Sequence, residues 1–151
     1  MFEVKKYDKN GNLILKEEIK DNRLMNSASY YPNSNNIKEK YLYYEGRLSA
    51  IMEYYPNKQL KSTGSWSNIY RNYEGKYEEY YSNGKLKEIL FYQDGMRHGE
   101  FKQYYENGQL ESYGYYRNDE LDGTIYYYYD NGQPWKMVQY KNGRAVSSFD
   151  L

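Results

Sequence analysis

Cysteine is absent from this chain of 151 residues. A disulfide framework, a thiolate zinc site and a thiol nucleophile are therefore all excluded. There is also a single histidine, His98, and one histidine with carboxylates alone would be an unusual set of ligands for zinc. We accordingly predict no metal site and no cofactor.

Long hydrophobic runs are missing as well. No segment approaches the roughly 20 apolar residues that a membrane-spanning helix needs. The N-terminal segment Met1–Tyr7 lacks the apolar core of a signal peptide. The expected location is therefore the cytoplasm, unless an export signal has been removed from the natural chain.

The chain carries no net charge, because 21 basic residues balance 21 acidic ones. Nucleic-acid binding needs a net basic surface, so no nucleic-acid partner is expected. The absence of a basic cluster argues against attachment to lipid headgroups. A weak asymmetry exists, since residues 1–75 hold 12 basic and 9 acidic residues while residues 76–151 hold 9 and 12.

Aliphatic residues are scarce, which by itself would suggest disorder. Tyrosine takes their place with 24 positions, and aromatic residues make up 20% of the chain. The tyrosines recur at regular intervals, so we expect a folded structure. Tyrosine suits a β-sheet because its ring packs on neighbours while its hydroxyl reaches water or a hydrogen-bond partner. These features predict a thin, amphipathic β-structure without a thick apolar core.

A repeat of about 24 residues runs through the chain, and Asn-Gly pairs mark most of its copies. A Tyr-Tyr pair precedes five of the six marks. Asn-Gly favours a type I′ hairpin turn, because both central residues of that turn need positive φ. A second turn halfway to the next unit leaves strands of about 6–8 residues. The marks are Asn10-Gly11, Asn33-Ser34, Asn57-Lys58, Asn83-Gly84, Asn107-Gly108 and Asn131-Gly132; the second turns include Glu45-Gly46, Asp94-Gly95, Asn118-Asp119 and Asn142-Gly143.

Two strands per unit predict an all-β fold of about six tandem β-hairpins in one domain over residues 1–151. Because side chains alternate between the faces of a strand, each Tyr-Tyr pair places aromatics on both faces. We therefore predict an elongated, twisted, largely single-layer antiparallel sheet that grows along its axis. Gly64 and Gly114 are expected to make room for a neighbouring ring.

The segment Tyr80–Leu86, Tyr-Tyr-Ser-Asn-Gly-Lys-Leu, followed by Phe91–Gly99, resembles the MORN variant repeat of bacterial proteins. Residues 104–123 hold a second full copy. The first copy, Tyr7-Asp8-Lys9-Asn10, is interpreted as having one extra residue before its turn, and the last copy has Pro134-Trp135 where leucine is expected. Proteins with this resemblance are commonly described as antitoxins or immunity proteins of bacterial toxin systems, and others as scaffolds or membrane-associated proteins. The resemblance therefore implies another protein, such as a toxin, as the partner.

Residues with catalytic chemistry do not form a recognisable site. His98 precedes Gly99 in a second-turn region, where another copy carries Asp122, so we assign it to a turn. The adjacent carboxylates Glu78 and Glu79 point to opposite faces of a strand and do not converge on a substrate. The glycines are spread at repeat spacing and form no phosphate-binding loop. We predict a protein that is not an enzyme and that has no small-molecule ligand.

Two irregular aromatic segments are the candidate partner-binding sites, since Trp and Tyr dominate interface hot spots. One lies in the 26-residue unit, which has a two-residue insertion, and the other lies near the C-terminus. Their structural alternatives are a tolerated loop expansion and a cap over the last hairpin. Most tyrosines are expected to be structural. The candidates are Trp66, Ile69, Tyr70, Arg71, Tyr127, Tyr129 and Trp135.

The leading hypothesis from sequence is a non-catalytic, protein-binding repeat protein that neutralises a bacterial toxin as an antitoxin or immunity protein. The alternatives are a membrane-associated protein and a structural scaffold.

Overall fold

The computed structural model describes every residue from Met1 to Leu151 and contains only strands and turns. The strands form one open antiparallel sheet that follows chain order, so the all-β prediction is confirmed. No helix is present that is long and apolar enough to span a membrane. The strands are β1 (Phe2–Tyr7), β2 (Leu13–Lys20), β3 (Arg23–Tyr30), β4 (Ile37–Tyr44), β5 (Arg47–Tyr54), β6 (Leu60–Ser67), β7 (Asn72–Tyr80), β8 (Leu86–Gln93), β9 (Met96–Arg97), β10 (Gly99–Tyr104), β11 (Leu110–Arg117), β12 (Glu120–Leu121), β13 (Gly123–Tyr128), β14 (Pro134–Lys141) and β15 (Arg144–Asp150).

The six predicted hairpins are all present. They are β1–β2, β3–β4, β5–β6, β7–β8, β10–β11 and β13–β14. The short strands β9 and β12 arise where a strand is interrupted, at His98 and at Asp122. The backbone N–H of each interrupting residue donates to the preceding strand, His98 to the Phe91 carbonyl at 2.8 Å and Asp122 to the Tyr115 carbonyl at 3.0 Å. The predicted equivalence of these two positions is confirmed.

The type of turn predicted at Asn-Gly is wrong. Gly84 has a φ of +84°, and its N–H donates to the Tyr81 carbonyl at 2.9 Å, but Asn83 is not left-handed. Instead, Asn83 Oδ1 accepts the N–H of Lys85 at 2.9 Å. This side-chain bond holds asparagine in the right-handed region, and only the glycine turns left-handed, as in a type I turn closed by a bulge. Both central residues have positive φ, the hallmark of a type I′ turn, at the second turns Glu45-Gly46, Asp94-Gly95, Asn118-Asp119 and Asn142-Gly143.

The first unit has no extra residue, so that prediction is also wrong. The N–H of Asp8 donates to the Asn12 carbonyl at 2.9 Å, as the N–H of Tyr81 donates to Lys85 at 2.8 Å. Asp8 thus occupies the position of the second tyrosine. Its carboxylate accepts the N–H groups of Asn10 and Asn12 at 2.8 and 2.9 Å, so it braces its own turn.

The buried core is small, as predicted, with nine of 151 residues buried. Its centre lies on one face of the later units, here called the inner face. Half-buried tyrosines and one leucine surround it, so aromatic rings do much of the packing that aliphatic side chains do elsewhere. The centre is Leu90, Phe101 and Ile125, and the surrounding residues are Tyr77, Tyr92, Tyr116, Leu121, Tyr127 and Tyr140.

Two glycines within strands make room for these side chains. A Cβ added at Gly64 would lie 2.7 Å from Cδ1 of Tyr73. A Cβ at Gly114 would overlap the side chain of Ile125 and lie 3.1 Å from Cε1 of Phe101. The prediction for both glycines is confirmed, with an isoleucine as the main neighbour at Gly114.

Tyrosine hydroxyls connect successive hairpins. The second tyrosine of a pair donates to the backbone carbonyl of the first tyrosine in the next pair, so its ring crosses the strand between them. We call these links the tyrosine ladder, and they confirm a structural role for four of the tyrosines. The links join Tyr31 to Tyr54 at 2.6 Å, Tyr55 to Tyr80 at 2.9 Å, Tyr81 to Tyr104 at 2.7 Å and Tyr105 to Tyr128 at 2.8 Å.

The turn asparagines form a parallel set of links. Asn57 Nδ2 donates to the Ser82 carbonyl at 2.8 Å, and Asn107 Nδ2 donates to the Asp130 carbonyl at 2.6 Å. Because Oδ1 of each asparagine accepts an N–H of its own turn, the position needs a donor and an acceptor together. The tyrosine ladder and these asparagine links brace one lateral edge of the sheet, called here the Asn-Gly edge. The second turns lie at the opposite edge, the second-turn edge.

A candidate protein-binding groove

The structure separates the seven predicted binding residues into two groups. Alternate turns of a sheet built in chain order lie at opposite edges, so the loop after β6 and the turn after β13 are on different edges. The first group is Trp66, Ile69, Tyr70 and Arg71; the second is Tyr127, Tyr129 and Trp135. The two groups do not form a single site.

The C-terminal group packs on itself. The ring centroid of Trp135 lies 6.2 Å from that of Tyr127 and 5.8 Å from that of Tyr129. Lys136 Nζ lies 4.1 Å from the centroid of Trp135. Burial, followed by the neighbouring Tyr140, raises the pKa of Tyr127. Such packing is what the cap interpretation requires, and partner binding by this group stays a prediction.

The loop between β6 and β7 has four residues, 68–71, where the other second turns have two. Ile69 is 85% exposed at this loop. Tyr70 packs on the next second turn, where a Cβ added at Gly95 would lie 2.8 Å from Cβ of Tyr70. The neighbouring Asp94 carboxylate raises the pKa of Tyr70. Arg71 is exposed with a φ of +53°. Tyr70 therefore fastens the loop to the following unit.

The start of the same loop turns back toward β5 of its own hairpin. Asn68 Nδ2 donates to the Leu48 carbonyl at 2.6 Å, so Asn68 forms one wall of a groove of about 640 Å³. Trp66 lies half-buried in this groove, with its ring edge-on to Tyr73 at 5.7 Å between centroids. We call it the Trp66 groove, and it is lined by Arg23, Tyr44, Glu45, Arg47, Leu48, Ser49, Trp66 and Asn68.

Two arginines in the groove have no acidic partner. Arg97 pairs with Asp119 at 3.1 Å, and Arg117 is likewise paired, but neither Arg23 nor Arg47 forms a salt bridge. Guanidinium groups recognise carboxylate and phosphate groups through paired hydrogen bonds. The groove therefore presents two uncommitted cations beside an aromatic side chain.

The recessed surface continues beyond Tyr44, whose side chain is 72% exposed. A neighbouring groove of about 500 Å³ shares Arg23, Tyr44 and Glu45 and adds Lys20, Asp21 and Met25. None of these residues was among the predicted binding residues. A signal was available, since Arg23 and Arg47 stand 24 residues apart, each directly after a second turn.

Groups with catalytic potential are dispersed or engaged elsewhere. His98 Nδ1 lies 3.1 Å from Asn118 Oδ1, and its ring packs edge-on to Tyr115. Glu78 pairs with Lys76 at 2.7 Å and Glu79 with Lys87 at 2.8 Å. No three His, Asp or Glu side chains are grouped to share a metal ion.

Comparison with known proteins identifies the family to which the repeat belongs. The family described as MORN repeat variant matches residues 51–68, 73–94, 97–118 and 121–142, and each range coincides with one hairpin. No curated protein sequence matches the chain. Among solved structures, a porin-like protein from Bacteroides uniformis matches with 11% identity and a TM-score of 0.23, over 97% of this chain and 86% of that chain. Because the family match extends over more than half of its residues, this chain belongs to the MORN repeat variant family.

Proposed function

We propose that this protein is a non-catalytic, protein-binding repeat protein that acts as an antitoxin or immunity protein by covering a surface of a bacterial toxin. The observation that carries the proposal is the Trp66 groove. It combines a half-buried tryptophan, an exposed tyrosine and two arginines without partners. Trp, Tyr and Arg are the residue types most enriched among interface hot spots.

The braced sheet supports this use of the groove. The lining residues come from two successive hairpins, β3–β4 and β5–β6, of one continuous hydrogen-bonded sheet. The Asn68 contact with Leu48 fixes the outer wall. A surface that is already ordered loses little conformational freedom on binding, so more of the contact energy appears as affinity. Beside that wall, the exposed Ile69 side chain offers an apolar contact outside the groove.

A tagged pull-down from lysate of the source cells, followed by mass spectrometry, tests protein binding. Trp66→Ala removes the aromatic side chain of the groove, and Trp135→Ala is the matched control on the other edge. We expect one stoichiometric protein with the wild type and with Trp135→Ala, and its loss with Trp66→Ala. Capture of nothing by the wild type would refute the protein-binding function. A partner lost only with Trp135→Ala would move the site to the C-terminal cluster.

The antitoxin role needs a separate test. We expect the captured partner to arrest growth when expressed alone in a bacterial host. Co-expression of the wild type, but not of Trp66→Ala, should restore growth. A harmless partner would contradict the antitoxin role and favour the scaffold alternative.

A further inference from the structure

We infer that the Trp66 groove binds an acidic segment of its partner protein, in which carboxylate side chains flank an aromatic or aliphatic residue. This inference rests on the proposed protein-binding function and specifies the chemistry of the partner.

The two arginines of the groove occupy equivalent positions in the repeat. Arg23 and Arg47 are each the first residue after a second turn, opposite Lys20 and Tyr44. Glu120 holds the same place in a later unit, opposite Arg117. Because Met96 and Glu120 occupy this position in other units, the turn does not require a positive side chain there. Arg144 occupies the same position in the last unit.

Positive side chains outnumber negative ones within the recessed surface. The two adjoining grooves contain three basic side chains, Lys20, Arg23 and Arg47, and two acidic ones, Asp21 and Glu45. These five side chains form no salt bridge with one another or with the rest of the chain. The surrounding half of the chain has the same sign, with 12 basic and 9 acidic residues in residues 1–75. A negatively charged occupant complements this surface.

Aromatic side chains line the groove together with the cations. Trp66 is half-buried in the groove, and Tyr44 stands 72% exposed beside it. An inorganic anion would satisfy the arginines but would leave both rings in water. A side chain with apolar surface, held between two carboxylates, covers the rings and neutralises the arginines at once.

A peptide titration tests the inference. The probe is acetyl-Asp-Glu-Phe-Glu-Asp-amide, and its uncharged control is acetyl-Asn-Gln-Phe-Gln-Asn-amide. NMR signals of the two indole N–H groups report the binding site, with Trp66→Phe used to assign them. We expect the acidic peptide to shift the Trp66 signal saturably, to leave Trp135 unchanged and to bind less tightly as salt rises. The control peptide should bind at least about tenfold more weakly.

Matched variants separate the cations of the groove from charge in general. Arg23→Gln and Arg47→Gln should each weaken peptide binding roughly three- to tenfold. Arg144→Gln changes the same position in the last unit, outside the groove, and should leave affinity unchanged.

Four results would overturn the inference. Three come from the peptide titration: equal binding of both peptides, a shift of the Trp135 indole signal instead of the Trp66 signal, or no shift of either signal at about 1 mM acidic peptide. The fourth is arginine-dependent binding to phosphatidylserine–phosphatidylcholine vesicles without peptide binding. Failure of the inference can be told apart from failure of the proposed function. A captured protein that needs Trp66 but tolerates Arg23→Gln with Arg47→Gln would leave protein binding intact and refute the acidic chemistry. Binding of the acidic peptide without any captured protein would support the acidic chemistry of the groove and refute the proposed protein-binding function.

Discussion

Removing one hydroxyl from the tyrosine ladder should destabilise the protein measurably. Tyr81→Phe keeps the ring and deletes only the hydroxyl oxygen, which donates to the Tyr104 carbonyl at 2.7 Å. Tyr129→Phe is the matched control. Tyr129 holds the same position in the last unit, where its side chain is 52% exposed and the ladder has already ended.

The magnitude follows from the environment of the acceptor. A protein hydrogen bond contributes a net of about 0.5–1.5 kcal/mol, and a buried carbonyl left without a partner costs about 1–3 kcal/mol. Tyr104 is only half-buried, so water can replace part of the lost bond. We therefore expect Tyr81→Phe to lower the free energy of unfolding by about 1–2 kcal/mol, and Tyr129→Phe by less than about 0.5 kcal/mol.

Urea denaturation followed by far-ultraviolet circular dichroism measures both variants. Because each unit contacts only its neighbours, breaking one link should also weaken the coupling between the two halves and broaden the Tyr81→Phe transition. Equal losses for the two variants, or none for Tyr81→Phe, would show that the hydroxyl does not couple adjacent units.

Three further predictions concern turns and tyrosine ionisation. Lys58 has a φ of +73° at a position where other units carry glycine. Measured by urea denaturation, Lys58→Gly should therefore raise the free energy of unfolding by about 1 kcal/mol, and Gly84→Lys should lower it by a similar amount. If both variants changed the free energy of unfolding in the same direction, backbone strain at Lys58 would be refuted. Asn107→Asp keeps the acceptor of its own turn but loses the donor to the next turn, so it should lower the melting temperature by a few degrees. Asn131 has no link to a following turn, so Asn131→Asp should change the melting temperature little. Equal shifts of the two melting temperatures would contradict a stabilising role for the asparagine links. Burial, followed by a hydrogen bond to a glutamate, raises the pKa of Tyr41 to about 12. Its contribution to stability is therefore complete below the unfolded pKa of about 10 and is lost as pH rises toward 12. Urea midpoints measured across this range should fall less steeply for Tyr41→Phe, and an unchanged slope would refute this role.

Much of the fold was predictable because the repeat is explicit in the residues. The 24-residue recurrence of Asn-Gly and Tyr-Tyr located six hairpins, and the missing apolar residues predicted a thin sheet. The type of the Asn-Gly turn was missed because Asn83 Oδ1 bonds to its own turn, which keeps asparagine out of the left-handed region. Turn type depends on this side-chain contact as well as on residue preference.

The candidate site was predictable only in part. The insertion drew attention to Trp66, Ile69, Tyr70 and Arg71, but of these only Trp66 lines the groove. Tyr70 reaches forward to the next unit and Ile69 extends into solvent. Neighbours in the loop sequence thus diverge in space, because Asn68 bonds back to β5 whereas Tyr70 packs on the second turn after β8.

The sequence by itself determined the repeat length, the strand class and the positions of the turns, since these follow from local residue preference and a regular period. The tertiary structure alone decided which units are linked by tyrosine hydroxyls and which face forms the core. It also brought Arg23, Tyr44 and Trp66 to one groove. These residues lie on β3, β4 and β6, in two successive hairpins, and only pairing of the intervening strands in register sets them side by side.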